Sequence, residues 1–127
     1  MPTELLLSPH SATPMYAQIV EQVVAKVMTG EWKAGDALPS IRELAGNSQV
    51  SVITVKRAYE ELEREGIIFR RQGLGTFVAE QGHSRSRETK LATAKELLRD
   101  GFREAAEAGL KPTEILELAR ELLKERK

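Results

Sequence analysis

Cysteine is absent from the 127 residues, which removes disulfides, thiol nucleophiles, iron–sulfur clusters and every cysteine-ligated zinc site at once. Histidine is scarce: His10 and His83 are the two present, each beside Ser or Pro in turn-like surroundings, so a multi-histidine metal centre is not available and no metal or cofactor is expected. Long apolar runs are missing as well. The longest, such as 5–7 and 23–25, fall far short of the about 20 residues that a bilayer core demands, so no membrane partner is expected. Glu4 precedes the first apolar run and no basic residue does, which is the wrong charge for a secretory signal and points to a cytoplasmic location. An excess of either charge is lacking too. Lys and Arg number 19 and so do Asp and Glu, so any site for a polyanion must be local and not a property of the whole-chain field. A chain this short, 41% hydrophobic and 30% charged, fits one small domain with an appendage and excludes a large multidomain enzyme.

What is present is organised by helical periodicity. Tyr16, Ile19, Val20, Val23, Val24, Val27 and Met28 recur at steps of three and four, one stripe of an amphipathic helix with Thr13 as its cap, Pro14 at its first position and Gly30 as its stop. A turn follows, with Trp32 as the apolar plug beneath it. Ser40-Ile-Arg-Glu43 is a capping box, predicting a short helix over 41–45 that residues 46–49 break. Ser51 caps the next helix, which gathers Val55, Ala58, Tyr59 and Leu62 on one face and leaves Val52, Ile53, Lys56, Arg57 and Glu60 elsewhere, up to a stop at Gly66. Two helices joined by so short a break, the second opened by a Ser cap, are the arrangement of a helix-turn-helix. Two β-prone runs, 67–69 and 76–78, flank a tip holding Gly73 and Gly75 and predict a hairpin, which after a helix-turn-helix makes a wing.

Residues 80–87 are polar throughout and read as a linker, so the first domain is expected to span 1–79. Beyond it, Leu91, Ala94, Leu98, Phe102 and Ala105 form a stripe that ends at Gly109, and Pro112 opens a second helix with Ile115, Leu116, Ala119, Leu122 and Leu123 on one side. Residues 88–127 thus read as a helical hairpin. One pair of helices offers a single contact face and cannot bury both stripes, so a second copy related by a two-fold axis is the expected partner, completing a four-helix arrangement. The expected fold class is mainly α with a small β-hairpin wing: an N-terminal winged helix-turn-helix followed by a C-terminal dimerisation hairpin.

The cations carry the functional signal. Arg42, Lys56, Arg57 and the Arg70-Arg71 pair cluster around the expected groove contact, and no acid interrupts residues 51–57, whereas Glu60, Glu61, Glu63 and Glu65 all come later on that helix. Taken alone, Lys56 with Glu60 and Arg57 with Glu61 read as i,i+4 surface pairs worth about 0.2–0.5 kcal/mol each. Cap, turn, recognition-length helix and glycine wing at compatible spacings turn the reading toward duplex DNA. Gly73-Leu-Gly75 lacks the remainder of a nucleotide-binding turn, and no Ser, His and Asp set can be assembled, so an enzyme is not expected.

Leu38-Pro-Ser-Ile-Arg-Glu-Leu-Ala45, followed by Val50-Ser-Val-Ile-Thr-Val-Lys-Arg-Ala-Tyr-Glu-Glu-Leu-Glu-Arg-Glu-Gly66 and Arg70-Arg-Gln-Gly-Leu-Gly-Thr-Phe-Val78, resembles the GntR family of bacterial transcription regulators. The likeness covers roughly residues 14–78, including Pro14-Met-Tyr-Ala-Gln-Ile19 and Gly35-Asp-Ala-Leu-Pro39. The short tail is similar to that of the YtrA-like subfamily. The resemblance implies a dimeric winged-helix protein, usually a repressor, often of operons that encode ATP-binding-cassette transporters, with the effector left open. Arg42 matches the family arginine that contacts DNA from the first helix, Thr54 and Lys56 match recognition-helix contacts, and Gly75 matches the wing tip. Val52, followed by Ile53, stands where the wider family commonly has arginine, so base readout must differ: an apolar pair can touch a thymine methyl but cannot make a bidentate guanine contact. Ser48 and Gln49 depart from the apolar-Gly pair usual in the turn, which predicts a reshaped turn.

The function expected from these readings is a sequence-specific transcriptional regulator, a repressor, that binds an inverted-repeat operator as a homodimer, its recognition helices about 34–36 Å apart. Lys56, Arg57, Arg42 and Arg71 would anchor phosphates or base edges, Ser51 and Thr54 would add neutral hydrogen bonds, and Ser40 and Ile53 would lie against the groove. Gly73, Gly75 and Thr76 would bring wing backbone near the minor groove. The alternative is a winged-helix protein–protein interaction module without operator binding.

Overall fold

In the computed structural model, residues 5–126 are described; their element order is α1 (Met15–Met28), α2 (Ile41–Ser48), α3 (Val52–Arg64), β1 (Ile68–Arg71), β2 (Gly75–Val78), α4 (Gly82–Glu107) and α5 (Pro112–Glu125). The chain divides into two compact units, one up to Lys90 and one from Leu91 on. The fold is therefore mainly helical with a single antiparallel hairpin, as the periodicity predicts.

The stripe of α1 is buried: Ile19, Val20, Val23, Val24 and Val27 pack into one core with Val55, Ala58, Tyr59 and Leu62 of α3. Each such aliphatic side chain contributes about 1.5–3 kcal/mol when fully withdrawn from water. Trp32 fills the core beneath the following turn, with the Lys26 ammonium 5.9 Å from its ring centroid. The start of α1 differs from the expectation. Pro14, in an extended conformation, is the cap residue, and Thr13 lends its carbonyl, not its hydroxyl, accepting from Gln18 Nε2 at 2.9 Å. Gln18 also accepts from the Ser8 amide and donates to the Ser8 carbonyl, both at 2.8 Å. One turn on, Gln22 accepts from the Leu6 amide at 2.6 Å and donates to the Leu6 carbonyl. The two side-chain amides thereby do for this segment what a neighbouring strand does in a sheet, and Leu5 is buried as a result.

The capping box of α2 is formed on both sides: Glu43 N–H donates to Ser40 Oγ at 3.0 Å and Ser40 N–H to Glu43 Oε1 at 2.8 Å. The helix then runs past Ala45 to Ser48, because the chain reverses only at Gln49, which adopts φ 57° and ψ 42°. With Gln49 left-handed, its own N–H and that of Val50 both reach the Ala45 carbonyl and close the last turn. Residues 49–51 are left to join α2 to α3. Tyr59 locks the pair by donating its phenol to the Pro39 carbonyl at 2.8 Å; burial, reinforced by the Glu43 carboxylate, raises this phenol above its ordinary pKa.

β1 and β2 pair with Ile68 opposite Val78 and Arg71 opposite Gly75, and the Phe69 and Phe77 rings lie 5.6 Å apart. Leu74 N–H donates to the Arg71 carbonyl at 2.9 Å, closing a turn whose third residue, Gly73, has φ 78°, a value open to glycine at low cost. Arg70 and Arg71 therefore belong to the strand and not to the tip. The free edge of β2 is tied to the segment before α2 by Leu38 N–H to Thr76 O at 2.8 Å and Val78 N–H to Asp36 O at 2.9 Å.

The expected linker is not a loop. From Gly82 onward residues 80–87 already belong to α4, and Gly82 and Ser86, four residues apart, are buried on the first unit. The physical reason is close approach: a Cβ at Gly82 would lie 2.9 Å from the Ile67 carbonyl oxygen. In the second unit, Leu110 N–H reaches the Ala105 carbonyl at 3.1 Å to end α4, and Lys111 N–H donates to Glu114 Oε1 at 2.8 Å to open α5. No described residue of α5 is buried. Ala105, Ile115 and Ala119 are half-buried, while Leu91, Ala94, Leu98, Phe102, Leu116 and Leu122 stand exposed.

Candidate nucleic-acid interface

Position along α3 decides which side chains can meet a ligand. Its inward face is fixed by Val55, Ala58, Tyr59 and Leu62, so Val52, Ile53, Lys56, Arg57 and Glu60 occupy the solvent arc. Ser51 opens the helix by accepting from Thr54 N–H at 3.0 Å, and its Oγ lies 2.7 Å from Thr54 Oγ1. Both hydroxyls expected to serve as neutral contacts are thus bonded to each other. Among the described residues no carboxylate lies within ion-pair distance of Lys56, and Arg57 is not paired with Glu61. Arg57 instead stacks on Tyr16 of α1, its guanidinium carbon 3.7 Å from the ring centroid. The i,i+4 surface-pair reading of these two cations does not hold.

A second set of cations lines an open cleft of about 560 Å³ between the start of α2 and the wing. Ser40, Arg42 and Glu43 form one wall; Arg70, Arg71, Gly73 and Leu74 form the other. Arg42 is exposed and unpaired among the described residues. Arg71 lies 5.4 Å over the Phe69 ring, and Arg70 stands 4.0 Å from Glu63, at the limit of an ion pair. The structure thus brings Ser40, Arg42, Arg71, Gly73, Gly75 and Thr76 together in one cleft, and sets Ser51, Ile53, Thr54, Lys56 and Arg57 on the arc of α3 outside it.

Thr76 lines the same cleft at its floor: it is buried, and its carbonyl is taken by Leu38, so the exposed part of the wing ends at Gly75. Alternation along β2 explains this, since residues 75 and 77 face away from the core when 76 and 78 face it. Sequence reasoning missed two residues. Tyr16 reads as part of a core stripe yet presents its ring to Arg57, and Leu74, 70% exposed between the two glycines, is the outermost apolar side chain of the wing. Its place inside a glycine turn was the available signal for Leu74; nothing in the spacing marked Tyr16. Among the described residues no group of His, Asp and Glu can hold a metal ion.

A Ser-capped helix reached through a three-residue turn, its solvent arc cationic, with a glycine-tipped hairpin behind it, defines a winged helix-turn-helix. Residues 15–78 match the family model described as bacterial regulatory proteins, gntR family. The chain belongs to that family, whose members are transcriptional regulators and not enzymes. It is 39% identical over 116 residues to the HTH-type transcriptional repressor YtrA of Bacillus subtilis, covering 91% of this chain and 89% of that protein. Among solved structures, a GntR family transcriptional regulator from Listeria monocytogenes superposes with a TM-score of 0.70 at 32% identity, covering 87% of this chain and 96% of the other. The DNA-binding domain of AraR, solved in complex with its operator ORX1, matches with a TM-score of 0.53 at 32% identity over 61% of this chain and 95% of its own.

Proposed function

We propose that this protein is a cytoplasmic transcriptional repressor that binds an inverted-repeat operator as a homodimer joined through its C-terminal helices. The observation that carries the reading is the pair of unneutralised cations, Arg42 and Lys56, on solvent faces of the two helix-turn-helix helices, in a chain whose formal charge is zero. Carboxylates are as numerous as cations here, yet Glu43, beside Arg42 in sequence, caps α2, Glu63 faces Arg70, and neither Glu60 nor Glu61 comes within ion-pair distance of Lys56. Support comes from the operator complex of the AraR domain and from the repressor function named for YtrA. No helix of the described residues is long and apolar enough to cross a membrane, which accords with action on DNA.

On this reading Arg42, Lys56, Arg57 and Arg71 take phosphates or base edges. The wing backbone at Gly73 and Gly75 approaches the minor groove, and Leu91, Ala94, Leu98, Phe102, Ile115, Leu116, Ala119 and Leu122 meet their counterparts in a second chain. Titrating binding to a duplex selected from a random pool against salt tests the first part. A dimer that neutralises about 6–10 phosphates loses about 10³–10⁵ in affinity between about 50 and 200 mM salt. Affinity that is absent, or flat with salt, refutes duplex recognition.

A further inference from the structure

Resting on the reading as a duplex-binding protein, we propose that Ile53 determines specificity by reading the 5-methyl group of a thymine in each operator half-site. The first turn of a recognition helix is the part that meets base edges in the major groove. On α3 that turn offers Val52, Ile53 and Thr54 behind the Ser51 cap. Hydrogen bonding is a small part of what it offers. The Ser51 and Thr54 hydroxyls lie 2.7 Å apart and Ser51 Oγ also accepts from the Thr54 amide, so one of the two O–H groups is spent between them and one is left to donate to a base. The rest of the turn is apolar: Ile53 is 78% exposed and Val52 47%, among the large hydrophobic side chains left in water.

Lys56 and Arg57 follow on the same arc, within one turn, so the apolar pair sits inside a cationic surrounding. That surrounding selects a polyanion over an apolar protein partner or a second copy of the helix. Of the groups a major groove displays, the thymine methyl is the one that an aliphatic side chain recognises without leaving a base donor or acceptor unmet. The same chemistry works against guanine and cytosine at that position, whose edges present polar atoms that Ile53 would strip of water without replacement. Ile53, the more exposed of the two, is the reader; Val52 is half turned toward the protein.

The test uses the full chain and a duplex selected from a random pool by the wild-type protein. Each thymine of one half-site is then replaced in turn by deoxyuridine, which removes the methyl and nothing else. One position is expected to weaken wild-type binding about fourfold, the equivalent of withdrawing one methyl from a buried contact. Ile53→Ala, at an exposed site, should keep its melting temperature and its salt dependence and lose that sensitivity, binding thymine and deoxyuridine duplexes within a factor of about two. A selected site without a recurrent thymine, a flat deoxyuridine scan, or sensitivity that persists in Ile53→Ala overturns the assignment to Ile53 while salt-dependent binding leaves the duplex reading standing. Failure to select any duplex overturns both.

Discussion

At the scale of single residues, the contact between Arg57 and Tyr16 carries the most consequence. A guanidinium 3.7 Å from a ring centroid is held in place by the ring's negative face, a contact worth about 0.5–2 kcal/mol depending on how far water is excluded. Arg57 has many rotamers in a free side chain; stacked, it presents one edge outward and less entropy is lost when a phosphate arrives. Tyr16→Leu, which keeps the apolar bulk and loses the ring, should weaken operator binding about twofold to fivefold by fluorescence anisotropy, whereas Tyr16→Phe should stay within a factor of about two. Arg57→Ala combined with Tyr16→Leu should lose no more than Arg57→Ala alone, because the two act as a unit. None of this was readable in the sequence: spacing assigns Tyr16 to the α1 stripe, and only the crossing of α1 with α3 brings it to Arg57. The hydroxyls show the same limit from the other side. Ser51 and Thr54 were legible as polar residues at the groove, but their being bonded to each other depends on rotamers that composition does not encode.

Among elements, the turn between α2 and α3 carries the one left-handed residue with a side chain among the described residues, and its geometry is specific. Gln49 holds a left-handed conformation with φ 57°, at a cost of about 1–2 kcal/mol for a residue with a Cβ. Gln49→Gly should therefore raise stability by about 0.5–1 kcal/mol, read as a higher midpoint in thermal unfolding, although glycine elsewhere in a helical region lowers it. An unchanged or lowered midpoint would show that the Gln49 side chain compensates for the strain. The opposite change applies at the start of α4. Gly82→Ala places a Cβ 2.9 Å from the Ile67 carbonyl oxygen and 3.1 Å from Val78 Cγ1, so about 1–3 kcal/mol of stability should be lost.

These two sites also mark what the sequence withheld at this scale. α1 and α3 were legible because large apolar residues repeat at steps of three and four. The first turns of α4 were not, because Gly82 and Ser86 pack by being small, and small residues leave no hydrophobic signal. The extension of α2 through Gly46, Asn47 and Ser48 was hidden likewise: three poor helix formers are carried by the closing hydrogen bonds to Ala45.

Over the whole molecule, the second unit exposes Leu98, Phe102, Leu116 and Leu122 while its ion pairs stay within single helices: Arg99 with Glu96, Arg103 with Asp100 and Arg120 with Glu117. On the proposed reading as a homodimer the exposed stripes, and not these ion pairs, would form the interface core. Phe102→Glu together with Leu98→Glu should convert a dimer to a monomer in sedimentation analysis and, by removing the second recognition helix, cost operator affinity at least about tenfold, while the first unit keeps its helical signal. A double variant that sediments as the wild type refutes association through these side chains. The organisation into a winged-helix part and a helical tail was legible from the two patterns of periodicity, but their boundary was not, since α4 runs from Gly82 without a break in helical structure.

The strap of residues 5–13 along α1 has a chemical weakness of its own. The nitrogen atoms of Gln18 and Gln22 supply the donor half of its fastening, to the carbonyls of Ser8, Thr13 and Leu6. Hydrolysis of those two amides during ageing would cleave no peptide bond and change hardly any volume, yet it would set carboxylate oxygen against carbonyl oxygen at every one of those points. A sample so altered would keep its length, gain two negative charges, and hold its leading segment by the Leu6 and Ser8 amides alone.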